Sequence, residues 1–172
     1  MALTFHKMHG AGNDFVLIDA RMQKLALNPE LAARIADRHL GIGCDQILVV
    51  HDANFPEHRA RYEIWNSDGS PAQQCGNGAR CIGLYLDMNG ETGSTPFIVE
   101  SPAGAVTIRR CSDGEFEIEM GVPNFEPASI PVNLEPEAGQ DQLDSPWGRL
   151  EFGAVSMGTP HALLLTRDID SP

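Results

Sequence analysis

The sequence predicts an α+β fold, on three observations. Short apolar or alternating runs of strand length recur along the chain. Only two segments carry helical spacing, and the order of elements lacks the regular βαβ alternation of a parallel α/β protein.

The first strand is Phe15-Val16-Leu17-Ile18-Asp19, after the tight Gly-rich segment His9-Gly10-Ala11-Gly12-Asn13-Asp14. Asn28-Pro29 opens a helix, with Asn28 as N-cap and Pro29 as its first residue. Leu31, Ala32, Ile35 and Ala36 give that helix an apolar face, and Gly41 and Gly43 are read as its end. Ile47-Leu48-Val49-Val50 reads as a buried strand, and Arg61 to Asn66 alternates like a half-exposed one. Asn66 to Pro71 is a turn, and a second helix is expected over Ala79 to Met88. Strands are expected at Phe97–Glu100, Ala105–Arg110, Glu115–Met120, Leu150–Met157 and Ala162–Thr166. Pro123 to Pro146, rich in Pro, Glu and Asp, is read as a solvated connection between domains.

Composition narrows the function classes. The chain has 172 residues and is 42% apolar, enough for one sizeable domain or one domain and part of another. Twelve basic residues face 24 acidic ones, a net charge of −12 that repels nucleic acid. The N-terminus shows no apolar signal core, and no apolar run approaches the roughly 20 residues of a membrane span. A cytoplasmic location is therefore expected, where Cys44, Cys75, Cys81 and Cys111 are thiols. No CxxC pair marks a zinc site.

The segment that carries chemistry is Gln74-Cys75-Gly76-Asn77-Gly78-Ala79-Arg80-Cys81. It puts a cysteine just before a helix, where unpaired N–H groups and the helix dipole favour an anion. The same field favours thiolate over thiol at Cys75, and Gly76 and Gly78 let a ligand approach the main chain. Two chemistries fit: attack on a carbonyl, or removal of a proton next to a carboxylate. A cysteine that merely caps a helix is the plainer alternative for such a motif taken alone. Cys81 falls inside the helix and belongs to the core; Cys44 and Cys111 also read as structural. Asn13, Gln46 and Asn66 stand where strands meet turns, and their amides suit a ligand bearing both ammonium and carboxylate. Each alone reads more simply as a turn-stabilising residue, and His161 after Pro160 likewise fits a turn.

Five ordered blocks carry a family resemblance. They are Met8 to Phe15, Asp37 to Gln46, Asn66 to Ser70 with Gln74 to Cys81, Gly121 to Phe125, and Met157 to His161. Together they resemble the diaminopimelate epimerases over nearly the whole chain. The resemblance implies interconversion of LL- and meso-diaminopimelate, for lysine and peptidoglycan synthesis, without pyridoxal phosphate or metal. It implies two cysteines on opposite faces of the α-carbon, one removing a proton as thiolate and the other supplying one as thiol. Carried over by position, Cys75 matches the first catalytic cysteine, and Gly76 and Asn77 the main-chain cradle after it. Asn13, Gln46 and Asn66 match substrate-contacting amides, and His161 a histidine that supports catalysis. Thr159 stands where the family has Asn and is kept as a substrate-contact position.

The resemblance also implies an architecture. Family members have two pseudosymmetric domains, each wrapping strands around a central helix, with the site in the cleft between them. Residues 1–120 would form the first domain and 121–172 the beginning of the second, incomplete. Family members continue for roughly another hundred residues, a domain of ordinary size. That region holds the second cysteine, which Cys44, Cys81 and Cys111 do not match. In the family the end of the chain also returns to complete the first domain's sheet. The chain is thus expected to be a fragment or truncated product, inactive alone or competent for half the reaction. Homodimers are common in the family. The competing readings are a proline racemase or phenazine-pathway isomerase, a non-catalytic amino-acid-binding module, and a cysteine hydrolase.

Overall fold

The computed structural model describes residues 3–130, 141–146 and 148–166. Two compact units divide the chain, Met1–Met120 and Gly121–Pro172.

The first unit is one curled, mixed sheet with a helix on each face. Its strands are β1 (His6–Gly10), β2 (Asn13–Asp19), β3 (Gln46–His51), β4 (Ala60–Asn66), β5 (Pro71–Ala72), β6 (Phe97–Ser101), β7 (Gly104–Arg110) and β8 (Phe116–Glu119). Their spatial order is β1-β2-β3-β4-β6-β7-β8, with β5 paired to β4. Helices α1 (Pro29–Ala36) and α2 (Gly76–Met88) each lie in a crossover between parallel neighbours, β2 to β3 and β4 to β6. The remaining pairs are antiparallel. Two isolated βαβ crossovers therefore sit within an otherwise antiparallel sheet.

The continuous apolar runs of β2 and β3 follow from burial on both faces. Phe15, Leu17, Leu48 and Val50 face α2, where Tyr62 and Ile64 of β4 join them. Val16, Ile18, Ile47 and Val49 face α1 and meet Ala32 and Ala36. The sheet curls so that α2 packs on β1, β3, β7 and β8. Its buried side is Gly78, Ala79, Cys81, Ile82, Gly83, Tyr85 and Leu86. A strip of Arg80, Leu84 and Met88 faces grooves beside β1 and the β7–β8 turn. Leu84 is 40% and Met88 64% exposed there.

Three local expectations need correction. Helix α1 stops at Ala36, with Asp37 as C-cap, not at the glycines beyond. The Asp37 carboxylate accepts from the N–H groups of His39 and Leu40, both at 2.7 Å, and turns the chain. Gly41 closes that turn: a β-carbon there would lie 2.1 Å from the Arg34 carbonyl oxygen. Helix α2 begins at Gly76 rather than Ala79, because Cys75 caps it and its packing outweighs the roughly 1 kcal/mol that each glycine costs a helix. The Gly-rich segment before β2 is the tip of a hairpin. Ala11 (φ 51°) and Gly12 (φ 83°) make its two-residue turn, and β1 forms its first arm. His6 to Gly10 carries too little apolar patterning to announce that strand.

An ion network ties the far end of β2 to the end of α2. Arg21 bonds Asp19 at 2.7 Å and Glu91 at 2.7 Å, and the Tyr85 hydroxyl donates to Asp19 at 2.9 Å. Burial pushes the Asp19 carboxyl up, but Arg21 and Tyr85 outweigh it and leave it below its usual value.

The second unit holds a three-stranded antiparallel sheet in the order β11-β10-β9. Its strands are β9 (Asp141–Ser145), β10 (Gly148–Ser156) and β11 (Pro160–Leu163). Part of the Pro123 to Pro146 stretch is thus ordered structure, not connection alone. It includes a 3-10 turn (Pro127–Ser129) and β9, which pairs antiparallel with β10 from Ser145 opposite Gly148, where φ is 110°. Its residues 131–140 lie outside the described residues, as do the last six of the chain. The expected strand over Ala162–Thr166 ends at Leu163 and starts at Pro160. Among the described residues no helix is long and apolar enough to cross a membrane.

Two stability outcomes follow. A β-carbon at Gly83 would lie 2.9 Å from Ile108 Cγ2 and 3.0 Å from Phe116 Cδ1, both core atoms. Gly83→Ala is expected to destabilise the chain by about 1–3 kcal/mol in urea denaturation, despite the better helix former. Asp19→Asn is expected to cost ~2 kcal/mol at neutral pH, from lost bonds to a charged group. Because Asp19 is lowered in the folded state, its contribution is full above the ordinary carboxylate range of about 4. The gap between the two proteins should therefore close as pH falls below that range in thermal melts, and a pH-independent gap would contradict this account.

Candidate active site

Cys75 occupies the N-cap of α2 in extended conformation (φ −149°, ψ 106°). Its carbonyl accepts from Ala79 N–H at 2.9 Å, and its Sγ accepts from Gly78 N–H at 3.4 Å. Sulfur is a weaker acceptor than the oxygen usual at this position. The N–H groups of Gly76 and Asn77 have no acceptor within the helix. No acidic side chain stands in the first turn to compete for an incoming anion. Both glycines have close neighbours, Gly78 a core side chain and Gly76 the flexible end of Met120. A β-carbon at Gly78 would lie 3.1 Å from Leu48 Cδ2 and 3.6 Å from Cys75 Sγ, and one at Gly76 would meet Met120 Sδ at 2.7 Å.

Strand register brings the three amides to the same end of the sheet. Gly10 pairs with Asn13, Phe15 with Gln46, and Gln46 with Asn66. Asn13, Gln46 and Asn66 therefore lie along one sheet edge, where the N-terminus of α2 also arrives. Asn13 Oδ1 is 3.8 Å from Cys75 Sγ. Gly10 lies against Asn77: a β-carbon built on Gly10 would be 3.6 Å from the Asn77 carbonyl oxygen. Gln46 Nε2 donates to Asn66 Oδ1 at 2.9 Å, and Asn66 Nδ2 donates to Ser70 Oγ at 3.0 Å. Gln46 Oε1 is buried with no hydrogen-bond partner among the described residues. A buried acceptor left unpaired is costly, and a ligand ammonium would satisfy it. The Asn77 side chain is held by Arg80 one turn along α2.

Behind Asn13 stands a ring of charge that sequence reasoning missed. Asp45 Oδ2 accepts from Asn13 Nδ2 and from Asp14 N–H, both at 3.0 Å. Asp14 Oδ1 in turn accepts from Asp45 N–H at 2.9 Å. Arg38 bridges Asp14 and Asp45 at 2.7 Å each, and Lys7 bonds Asp14 at 2.7 Å. The Arg38 guanidinium holds Asp14 well below the usual carboxylate range. The Asp14 N–H and the Asn13 amide, in that order, lower Asp45. Both carboxylates are therefore ionised at neutral pH. The only sequence signal was adjacency: Asp14 and Asp45 each neighbour a candidate amide.

The other cysteines divide as their burial dictates. Cys81 is 3% exposed inside α2, and burial pushes its thiol up to about 11. Cys44 is 1% exposed on the α1 side, and burial raises it as well. Cys111 is half-buried at the β7–β8 turn. The described partners of Cys75 Sγ are Asn13 and the Gly78 N–H, not a histidine, so the usual partner of a cysteine hydrolase is not bonded to it. Thr159 and His161 belong to the second unit, at the turn from β10 to β11. There His161 Nδ1 lies 2.7 Å from the Thr159 carbonyl oxygen, and both side chains are exposed. Among the described residues no three His, Cys, Asp or Glu side chains group as metal ligands would.

This geometry offers an anion cradle of main-chain N–H groups beside a half-buried thiol, flanked by three amides. Its relatives are consistent with that content. The diaminopimelate epimerase family model matches residues 5–126. The diaminopimelate epimerase of Aromatoleum aromaticum is 45% identical over 171 residues, covering 99% of this chain and 62% of that protein. That of Xanthomonas campestris is 46% identical over 170 residues, covering 98% and 60%. The chain thus spans about three-fifths of the length of these curated relatives. Among solved structures, a hydroxyproline epimerase from Agrobacterium vitis with bound trans-4-hydroxy-L-proline shares the fold. Its TM-score is 0.72 at 18% identity, covering 98% of this chain and 53% of that one. A probable proline racemase from Agrobacterium radiobacter does likewise, with TM-score 0.69 at 19% identity, covering 98% and 55%. With more than half its length matched by the family model and these blocks in order, the chain belongs to the diaminopimelate epimerase family.

Proposed function

We propose that the protein carrying this chain epimerises diaminopimelate without a cofactor, and that this chain supplies one of its two acid–base cysteines, Cys75. The observation that carries the reading is the position of Cys75 as N-cap of α2, with the Gly76 and Asn77 N–H groups beside it. The substrate α-carboxylate sits on those N–H groups. Cys75, as thiolate, takes the α-proton; the C–H pair of electrons moves into the carboxylate, whose growing charge the same N–H groups and helix dipole stabilise. A second cysteine, from the part of the relatives that these 172 residues do not span, returns a proton to the opposite face. Asn13, Gln46 and Asn66 hold the polar groups of the substrate, with Gln46 Oε1 available to an ammonium. By family position, Thr159 is a substrate contact through a hydroxyl in place of the family amide, and His161 a histidine that supports catalysis. Residues 1–120 act as the first epimerase domain and 121–172 as the start of the second. The open strip of α2 between β1 and β8 suits cover by the part of the relatives that this chain does not span. The family reading also favours a cytoplasmic enzyme that forms homodimers.

The test is isotopic. In deuterated water with diaminopimelate, the chain is expected to place deuterium at the α-carbon, to lose that activity in Cys75→Ala, and to give little net inversion. Full epimerase turnover by this chain alone would overturn the need for a second half. Exchange that survives Cys75→Ala would remove Cys75 from the mechanism. Retained binding without exchange would favour an amino-acid-binding role instead.

A further inference from the structure

We propose that Asp45 is a positioning residue for Cys75: its carboxylate fixes the Asn13 amide so that the amide oxygen, not the NH2 group, faces the sulfur. The inference deepens the reading above and rests on Cys75 being the reacting thiol.

A primary amide can present either end to a neighbour, because it holds one acceptor and two donors on a symmetric frame. What faces Cys75 is therefore set by what stands behind Asn13. There the group is Asp45 Oδ2, 3.0 Å from Asn13 Nδ2. An ionised carboxylate only accepts hydrogen bonds. It can be satisfied by the NH2 end of Asn13 and not by the oxygen, so the inverted amide would set two acceptors against each other. Asp45 itself has no freedom to turn away. Arg38 holds its Oδ1 at 2.7 Å, and the Asp14 N–H shares its Oδ2 at 3.0 Å. Arg38 also binds Asp14, which Lys7 holds from the other side, so two cations clamp the two carboxylates. The forced outcome is Asn13 Oδ1 at 3.8 Å from Cys75 Sγ, where it accepts the S–H proton.

The consequence is chemical. An acceptor beside the sulfur fixes where the thiol proton points, while the Gly78 N–H meets the sulfur from the helix. A cysteine that must both give and take a proton needs both forms within reach. Through Asn13, Asp45 sets the direction of that proton without touching the substrate.

The readout is the alkylation rate of Cys75 by iodoacetamide near neutral pH, resolved from the other thiols by peptide mass mapping. In Asp45→Asn the Arg38 cation claims the single remaining oxygen, and the new NH2 group faces Asn13. Asn13 then inverts and offers a donor to the sulfur. Cys75 is expected to react about fivefold faster, the effect of one modest hydrogen bond. In an Asn13→Ala background the same substitution is expected to leave the rate unchanged. An equal acceleration in both backgrounds would show that Asp45 acts by charge or by general loosening, and no acceleration in either would show that the amide is not held by Asp45; both overturn the proposal. Asp45→Ala, compared in the same two backgrounds, serves if Asp45→Asn fails to give a cooperative melt. The measurement needs no epimerase turnover, so its failure is separate from failure of the isotopic test.

Discussion

Everything in the first unit depends on enclosing α2. Few isolated helices of its length are stable in water, and this one starts with glycines at two of its first three positions. It exists because the curled sheet covers most of its circumference. That enclosure requires small residues wherever helix and sheet approach, which is why Gly78 meets Leu48 and Gly83 meets Ile108 and Phe116. The same enclosure fixes where the helix begins. Its first turn cannot slide along the sheet, so Cys75 and the Gly76 and Asn77 N–H groups stay at the strand ends that carry Asn13, Gln46 and Asn66.

Stability and chemistry thus share their parts without sharing their atoms. The ion network of Asp19, Arg21 and Glu91 anchors one end of α2, and the charge ring of Asp14, Arg38 and Asp45 backs the other end. At that end the free main-chain N–H groups of the first turn and the side-chain amides of the strand ends stand together. Of the thiols nearest the helix, one is left half-buried at its tip and the other sealed inside. Burial raises Cys81 and keeps it a thiol.

Much of this was legible in the residues. The β2 and β3 runs, the Asn28 cap with its 2.8 Å bond to Leu31 N–H, and the motif from Gln74 to Cys81 all carry their structure locally. What was not legible depends on partners distant in the chain. Strand β1 has weak patterning of its own and forms because a two-residue turn folds it onto β2. Asp45 looked like one acidic residue among 24, since its role arises only when β3 lies parallel to β2 and brings it to Asn13. The stop of α1 was misread because glycines are the commoner signal, whereas the Asp37 carboxylate turned the chain first. Strand β9 hid in a Pro- and Glu-rich stretch whose composition suggested a linker.

The order of the strands has a consequence for synthesis. In β1-β2-β3-β4-β6-β7-β8 each strand lies beside its predecessor in the chain, apart from the two-residue β5. Every pairing after the first hairpin can form as soon as the next strand leaves the ribosome, with loops closed over tens of residues rather than the whole length. At about 5–20 residues per second, the sheet grows in one direction within seconds of its first turn. Helix α2 emerges after five strands, β1 and β3 among those that pack on it, so a sequence too rich in glycine to hold a helix by itself meets part of its apolar surface already formed.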